Sequence, residues 1–149
     1  IEYAFDRSGT LVVTSMGNQN VNLSGQNHYP SNFNLNNVLP VGAMNGNGLK
    51  ADFSNYFSND FENIFAPGVN ISSTMPSWYP TGTETKSGTS MATAFVSASA
   101  AYVLEKCGSN DRATVLSEIK NGLTINNTTD AGNNIDFYDY FPSSFNPCP

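Results

Sequence analysis

The segment Ser87-Gly88-Thr89-Ser90-Met91-Ala92 is the part of this chain best suited to chemistry. It opens a run of small and apolar residues in which Ala92, Ala94, Ala98, Ala100 and Ala101 favour a helix, so a helix is predicted over Ser87 to Lys106. A serine in the first turn of such a helix faces backbone N–H groups that lack carbonyl partners, and the positive end of the helix dipole. That setting stabilises negative charge beside the serine oxygen, as acyl transfer through a tetrahedral intermediate requires. Read alone, Gly88-Thr89-Ser90 is a plain helix cap. A second polar side chain, Asn18, follows the short apolar run from Thr10 to Ser15 and, read alone, is a turn residue. In a parallel α/β sheet the active site lies at the carboxyl ends of the strands. Asn18, just past a strand, and Ser90, at a helix start, fall on that same edge.

Taken together, the motifs say more. Ser87-Gly88-Thr89-Ser90-Met91-Ala92 resembles the nucleophile segment of the subtilisin-like serine proteases almost letter for letter. Val12 to Asn18 resembles the family's strand ending in Gly-Asn. Tyr29-Pro30 followed by Val38-Leu39-Pro40-Val41-Gly42-Ala43 resembles its Tyr-Pro and Val-Gly-Ala segments. Ala51-Asp52-Phe53-Ser54-Asn55 and Phe65-Ala66-Pro67-Gly68-Val69-Asn70-Ile71 resemble two more, in the family's order, and a weaker echo lies near Gly132 to Asp136. The resemblance implies that Ser90 is the nucleophile and that Asn18 and the Ser90 backbone N–H donate to the oxyanion. It also implies that Ser15, Met16 and Gly17 form one wall of the pocket for the substrate side chain before the scissile bond, and that the substrate is a peptide or protein. The fold it implies is a mainly parallel sheet flanked by helices, with residues 1–149 as the C-terminal portion of a single catalytic domain.

The departures bear on the mechanism. The family's order is Asp, His, Asn, Ser, so the first two triad members are expected upstream of Ile1, on an N-terminal segment or a separate chain that would act as partner. The one histidine, His28, falls after Asn18 and is read as an ordinary loop residue. Ala94 and Phe95 stand where the family usually has Pro and His, both scaffold positions. Ala92-Thr93-Ala94 and the late cysteine pair give a faint similarity to the catalytic subunit of the subtilase cytotoxin. The fragment alone is expected to be inactive, because an unassisted serine is a weak nucleophile. The alternative is a pseudoprotease that serves as a binding or scaffold module.

Positioning these residues requires an α/β framework. Residues 1–8 read as a helix end stopped at Gly9, Thr10 to Ser15 as a buried strand, and Val38 to Met44 as another, although Pro40 suits an edge or a strand start. Asn45 to Gly48 is a turn, Lys50 to Ser54 a short strand, and Asn63 to Ala66 a buried strand stopped by Pro67-Gly68. The helix from Ser87, apolar or small on every face, reads as buried all round. A second helix is expected over Asp111 to Asn121, with Gly122 as its stop.

Composition narrows the partners. Charged residues are only 12% and the net charge is −6, with no Lys/Arg run, which excludes a phosphate-binding surface and hence nucleic acid. No apolar run is long enough to span a bilayer. The polar, weakly charged surface points to a secreted or extracytoplasmic protein. Cys107 and Cys148, far apart and without a nearby His or third Cys, make a poor metal site. A disulfide closing the C-terminal segment is expected, with two unrelated thiols as the alternative. The resemblance allows a structural calcium, but Asp52, Asp60, Glu62 and Glu84 form no dense oxygen-ligand loop, so neither metal nor cofactor is assigned.

Overall fold

Val12, Val13 and Thr14 are β-branched and crowd χ1, which favours the extended chain, and they build strand β1 (Val12–Ser15). The computed structural model describes residues 1–58, 63–108, 117–119, 125–128 and 132–135. Helix α1 (Glu2–Ser8) stops just before Gly9, as expected. Strands β2 (Val38–Met44) and β3 (Ile64–Pro67) lie parallel to β1, and Val12 is paired with Val38 and Val41 with Ile64. Strand β7 (Gly132–Ile135) adds parallel to β3, and β6 (Ile125–Thr128) pairs antiparallel with β7. The order is β1-β2-β3-β7-β6, an α/β sheet of the predicted class.

All of β2 is buried, and Pro40 sits inside it rather than on an edge. Hydrogen bonding explains this departure. Asn37 and Val41 turn their carbonyls toward β1, accepting from Val12 and Met16, so the intervening even-numbered residues face β3. Strand β3 joins only at Val41, beyond Pro40, so no ladder bond is asked of the missing N–H. The predicted strand at Lys50 to Ser54 does not form. It is reduced to a bridge between Met44 and Lys50 and a turn at Asp52-Phe53. The Ser54 hydroxyl replaces it, accepting from the Ala43 N–H at 2.9 Å and donating to the Asn55 carbonyl at 3.0 Å.

Helix α2 (Thr89–Cys107) packs across β1, β2 and β3. Ala92, Val96, Ala100 and Val103 recur at helical spacing and join the same buried core as Leu39, Val41, Ala43, Ile64 and Phe65. The helix is not enclosed as predicted. Ala94, Ser97, Ala98 and Ala101 are exposed among the described residues, and small side chains do not distinguish a buried face from an open one. Gly108 closes it in a left-handed conformation, donating to the Leu104 carbonyl. Of the helix expected at Asp111 to Asn121, only 117–119 are described, and these are helical. A polar hairpin that periodicity did not reveal, β4 (Ile71–Thr74) with β5 (Thr83–Lys86), stands between β3 and α2.

The strictest packing demand in the sheet is at Gly42. A Cβ there would lie 2.3 Å from Cε1 and 2.6 Å from Cδ1 of Phe65, its partner on β3, and Phe65 is only 1% exposed. Gly42→Ala is expected to cost about 2–3 kcal/mol in urea unfolding, the upper part of the range for overpacked cores. Gly46→Ala, where nothing lies within 4 Å of the added carbon, should stay within about 0.5 kcal/mol.

Candidate active site

Two chain segments separated by some 70 residues meet at the carboxyl end of the sheet. Strand β1 ends at Ser15, and Met16-Gly17-Asn18 continues past it. There Met16 donates its N–H to the Val41 carbonyl at 3.0 Å and is wholly buried. Gly17 has φ +93°, a conformation that side-chain-bearing residues rarely adopt, and this turn lifts Asn18 out of the sheet. From the other side, α2 begins after Gly88. The Gly88 N–H donates to the Gly68 carbonyl at 2.8 Å, and the Gly68 N–H to the Met44 carbonyl at 3.0 Å, so the helix start is tied to the ends of β2 and β3.

Thr89 joins the two segments. Its N–H donates to Asn18 Oδ1 at 2.9 Å, its hydroxyl lies 3.1 Å from the same oxygen, and the Gly17 N–H donates to that hydroxyl at 3.1 Å. The threonine is 1% exposed, so these bonds form away from solvent. With Asn18 Oδ1 held as acceptor, the amide nitrogen has no hydrogen-bond partner among the described residues. This nitrogen lies 3.4 Å from where a Cβ on Gly88 would stand, over the start of the helix. In the first turn of α2, the Met91 and Ala92 N–H groups reach the Gly88 carbonyl and Thr89 serves Asn18. Ser90 is exposed, and its N–H is the first-turn amide without an intramolecular acceptor among the described residues. The Asn18 carboxamide is thus held against the start of the helix, one residue from the exposed Ser90. Of the residues singled out in the sequence, Asn18, Gly17, Met16 and Ser15 come together with the helix start that carries Ser90. Cys107, at the end of α2, is distant in the chain from this edge and partly buried against the core, and Cys148 lies outside the described residues.

Three residues to which the sequence pattern assigns no role support the loop. Asn55 is fully buried. Its Oδ1 accepts from the Gln19 and Val21 N–H groups, each at 3.0 Å, and its Nδ2 donates to the Met16 carbonyl at 2.8 Å and to Gln19 Oε1 at 3.0 Å. Thr89 is the second, and its position inside the serine motif gives no hint of the contact with Asn18. His28 is the third. It is half-buried, bonded through Nδ1 to Ser31 Oγ at 2.8 Å, with Nε2 set against Gly17. It lies in a loop, as expected, and packs there against the turn at Gly17. Four residues before Ser90, Lys86 pairs with Glu84 at 3.0 Å, and this hydrogen bond and charge raise its pKa. The stabilisation is present below the ordinary lysine range and fades as pH climbs through the raised value, and exposure keeps it small. Among the described residues no three His, Cys, Asp or Glu side chains gather to hold a metal, and no helix is long and apolar enough to cross a membrane.

Comparison with known proteins agrees with this geometry. Residues 2–140 match Peptidase S8, the subtilase family. The chain is 38% identical over 114 residues to subtilisin-like protease 2 of Pseudogymnoascus destructans, covering 75% of this chain and 26% of that protein. It is 36% identical over 129 residues to alkaline elastase YaB of a Bacillus species, covering 86% of this chain and 32% of the elastase. The solved patellamide maturation protease PatA superposes with a TM-score of 0.70 at 26% identity, over 94% of this chain and 53% of that one. The chain thus spans about a quarter to a third of the curated relatives and about half of the solved structure. The family match runs over residues 2–140 and the fold superposes on a solved protease of that kind, and this chain belongs to the subtilase family.

Proposed function

We propose that this chain carries the nucleophile and the oxyanion-binding groups of a serine endopeptidase. The observation that carries the reading is the tie between Asn18 and the helix start, in which the Asn18 oxygen is held by Thr89, the residue before Ser90, and its amide nitrogen lies near Gly88. Ser90 Oγ adds to a peptide carbonyl carbon. The carbonyl oxygen becomes an anion that accepts from Asn18 Nδ2 and the Ser90 N–H. Collapse of this intermediate breaks the C–N bond, releases the amine and leaves an ester on Ser90 that water hydrolyses. Ser15, Met16 and Gly17 serve as one wall of the pocket for the preceding side chain.

The base and its orienting carboxylate come from an upstream segment or separate chain. His28 is committed to Ser31 and Gly17 and does not serve. Two open features fit such a segment. The outer edge of β1 has no strand partner among the described residues, and the small-residue face of α2 is exposed. Cys107 pairs with Cys148 in this reading, fastening the C-terminal segment to the end of α2. That pairing and the weakly charged surface favour a secreted or extracytoplasmic setting.

A fluorophosphonate probe tests the assignment. The intact protein, with its triad-bearing segment, should label stoichiometrically at Ser90, identified by peptide mass. The 149-residue chain alone should label at least a thousandfold more slowly, because the serine's base and the carboxylate that orients it are missing. Failure of the intact protein to label would favour a subtilase-derived scaffold without catalysis.

A further inference from the structure

Lys50 closes the turn after β2, and its side chain crosses to the loop that follows β1. An ammonium carries three protons, and here each finds an acceptor: Asn20 Oδ1 at 3.0 Å, the Ser54 carbonyl at 3.2 Å and the Ala51 carbonyl at 3.3 Å. The nitrogen also stands 5.4 Å from the centre of the Tyr56 ring, within range of its electron-rich face. Among the described residues no carboxylate comes within ion-pair distance of it. The charge is half-buried and held by neutral dipoles alone, so its acceptors are a cage for an alkylammonium ion rather than one half of a salt bridge.

The cage joins two segments that the site depends on. The Asn20 N–H donates to the Phe53 carbonyl at 2.8 Å, and the Asn55 N–H to the Gly17 carbonyl at 3.0 Å, so the loop from Gly17 to Asn20 lies along residues 53–55. Asn20 has φ +54°, a left-handed conformation that a residue other than glycine keeps when its surroundings fix it. Its side chain is fixed by Lys50. Asn18, two residues back, is held from the helix side by Thr89.

We infer that Lys50 is a positioning residue for Asn18, a built-in alkylammonium ion that clamps Asn20 and so fixes the loop, and that a small free alkylammonium ion takes its place when the side chain is cut back. The inference rests on the protease reading above. Loss of the clamp lets the loop relax by a fraction of an ångström, and a shift of that size costs on the order of tenfold in rate. The loss falls on kcat and leaves KM nearly unchanged, because the oxyanion that Asn18 serves exists only in the transition state.

The test uses the intact protease. Lys50→Ala should lower kcat about tenfold. Ethylammonium chloride should restore most of that loss, and the wild type, whose cage is filled, should not respond to it. Tetramethylammonium chloride at the same concentration supplies the charge and ionic strength without an N–H donor, and should restore nothing. Asn20→Gly keeps the left-handed backbone and removes the acceptor, so it should lose a similar factor that ethylammonium does not recover. This second variant keeps the test open where the first misfolds. In an intact protein that labels with fluorophosphonate, unchanged kcat in both variants overturns this inference alone. So does a loss in Lys50→Ala that ethylammonium leaves in place or that tetramethylammonium restores equally. An intact protein that does not label overturns this inference together with the protease reading.

Discussion

Ser90→Ala is expected to abolish fluorophosphonate labelling and to lower kcat on the intact protein by on the order of 10⁶, the loss known for the corresponding serine of subtilisin. The substitution removes chemistry and little else. Ser90 is exposed and lies in the first turn of α2, where alanine is at least as good a helix former. Its hydroxyl has no hydrogen bond to lose among the described residues. The midpoint of urea unfolding should therefore shift by no more than corresponds to about 0.5 kcal/mol. Activity within tenfold of the wild type would show that Ser90 does not attack the substrate.

The second large effect concerns Asn18. Asn18→Leu should lower kcat by roughly 10²–10³ with little change in KM, again the range known for the matching residue of subtilisin, because the oxyanion exists only in the transition state. The structure adds a coupled expectation of its own. Thr89 holds the Asn18 oxygen through its N–H and lies with its hydroxyl 3.1 Å away, so the threonine positions the carboxamide without touching substrate. Thr89→Val keeps the N–H and the shape but loses the hydroxyl, and should lower kcat about tenfold. In the Asn18→Leu background the same change should lower kcat hardly at all, since there is no carboxamide left to orient. Independent, additive losses would show that Thr89 acts only through stability. Denaturant unfolding distinguishes that outcome, because Thr89→Val also leaves the Gly17 N–H without its acceptor at a cost of about 1–3 kcal/mol.

What could be read from the sequence followed physical scale. Strands β1, β2 and β3 were legible because burial on both faces of a parallel sheet writes a continuous apolar run. Helix α2 was legible from alanine content, and its limits differed from expectation by two residues at the start and one at the end. Its degree of enclosure was not legible, because alanine and serine suit both a packed face and an open one. Hairpin β4–β5 escaped because Ile71-Ser72-Ser73-Thr74 and Thr83-Glu84-Thr85-Lys86 are polar on both faces and carry no periodic signal. The strand expected at Lys50 was lost to a hydroxyl. Ser54 offers the acceptor that a strand backbone would have supplied.

At the site, Ser90 and Asn18 could be picked out because their motifs are local. The contacts of Thr89, Asn55 and His28 with the Met16-Gly17 turn could not, since each spans 11 to 72 positions that no spacing rule connects. His28 shows this most directly. Its place after Asn18 spoke against a role as base and said nothing about Gly17, against which it sits.

Between Gly68 and Gly88 the chain makes a closed excursion. The two glycines are bonded to each other at its neck, with a second tie from the Asn70 N–H to the Ser87 hydroxyl at 2.9 Å. The helix start that carries Ser90 is thus anchored at the neck, far from the tip, where Trp78 projects into solvent. Such a neck isolates the helix start from changes farther out. The tip is free to lengthen, shorten or change composition over evolutionary time, or under an engineer's hand, while the serine keeps its place.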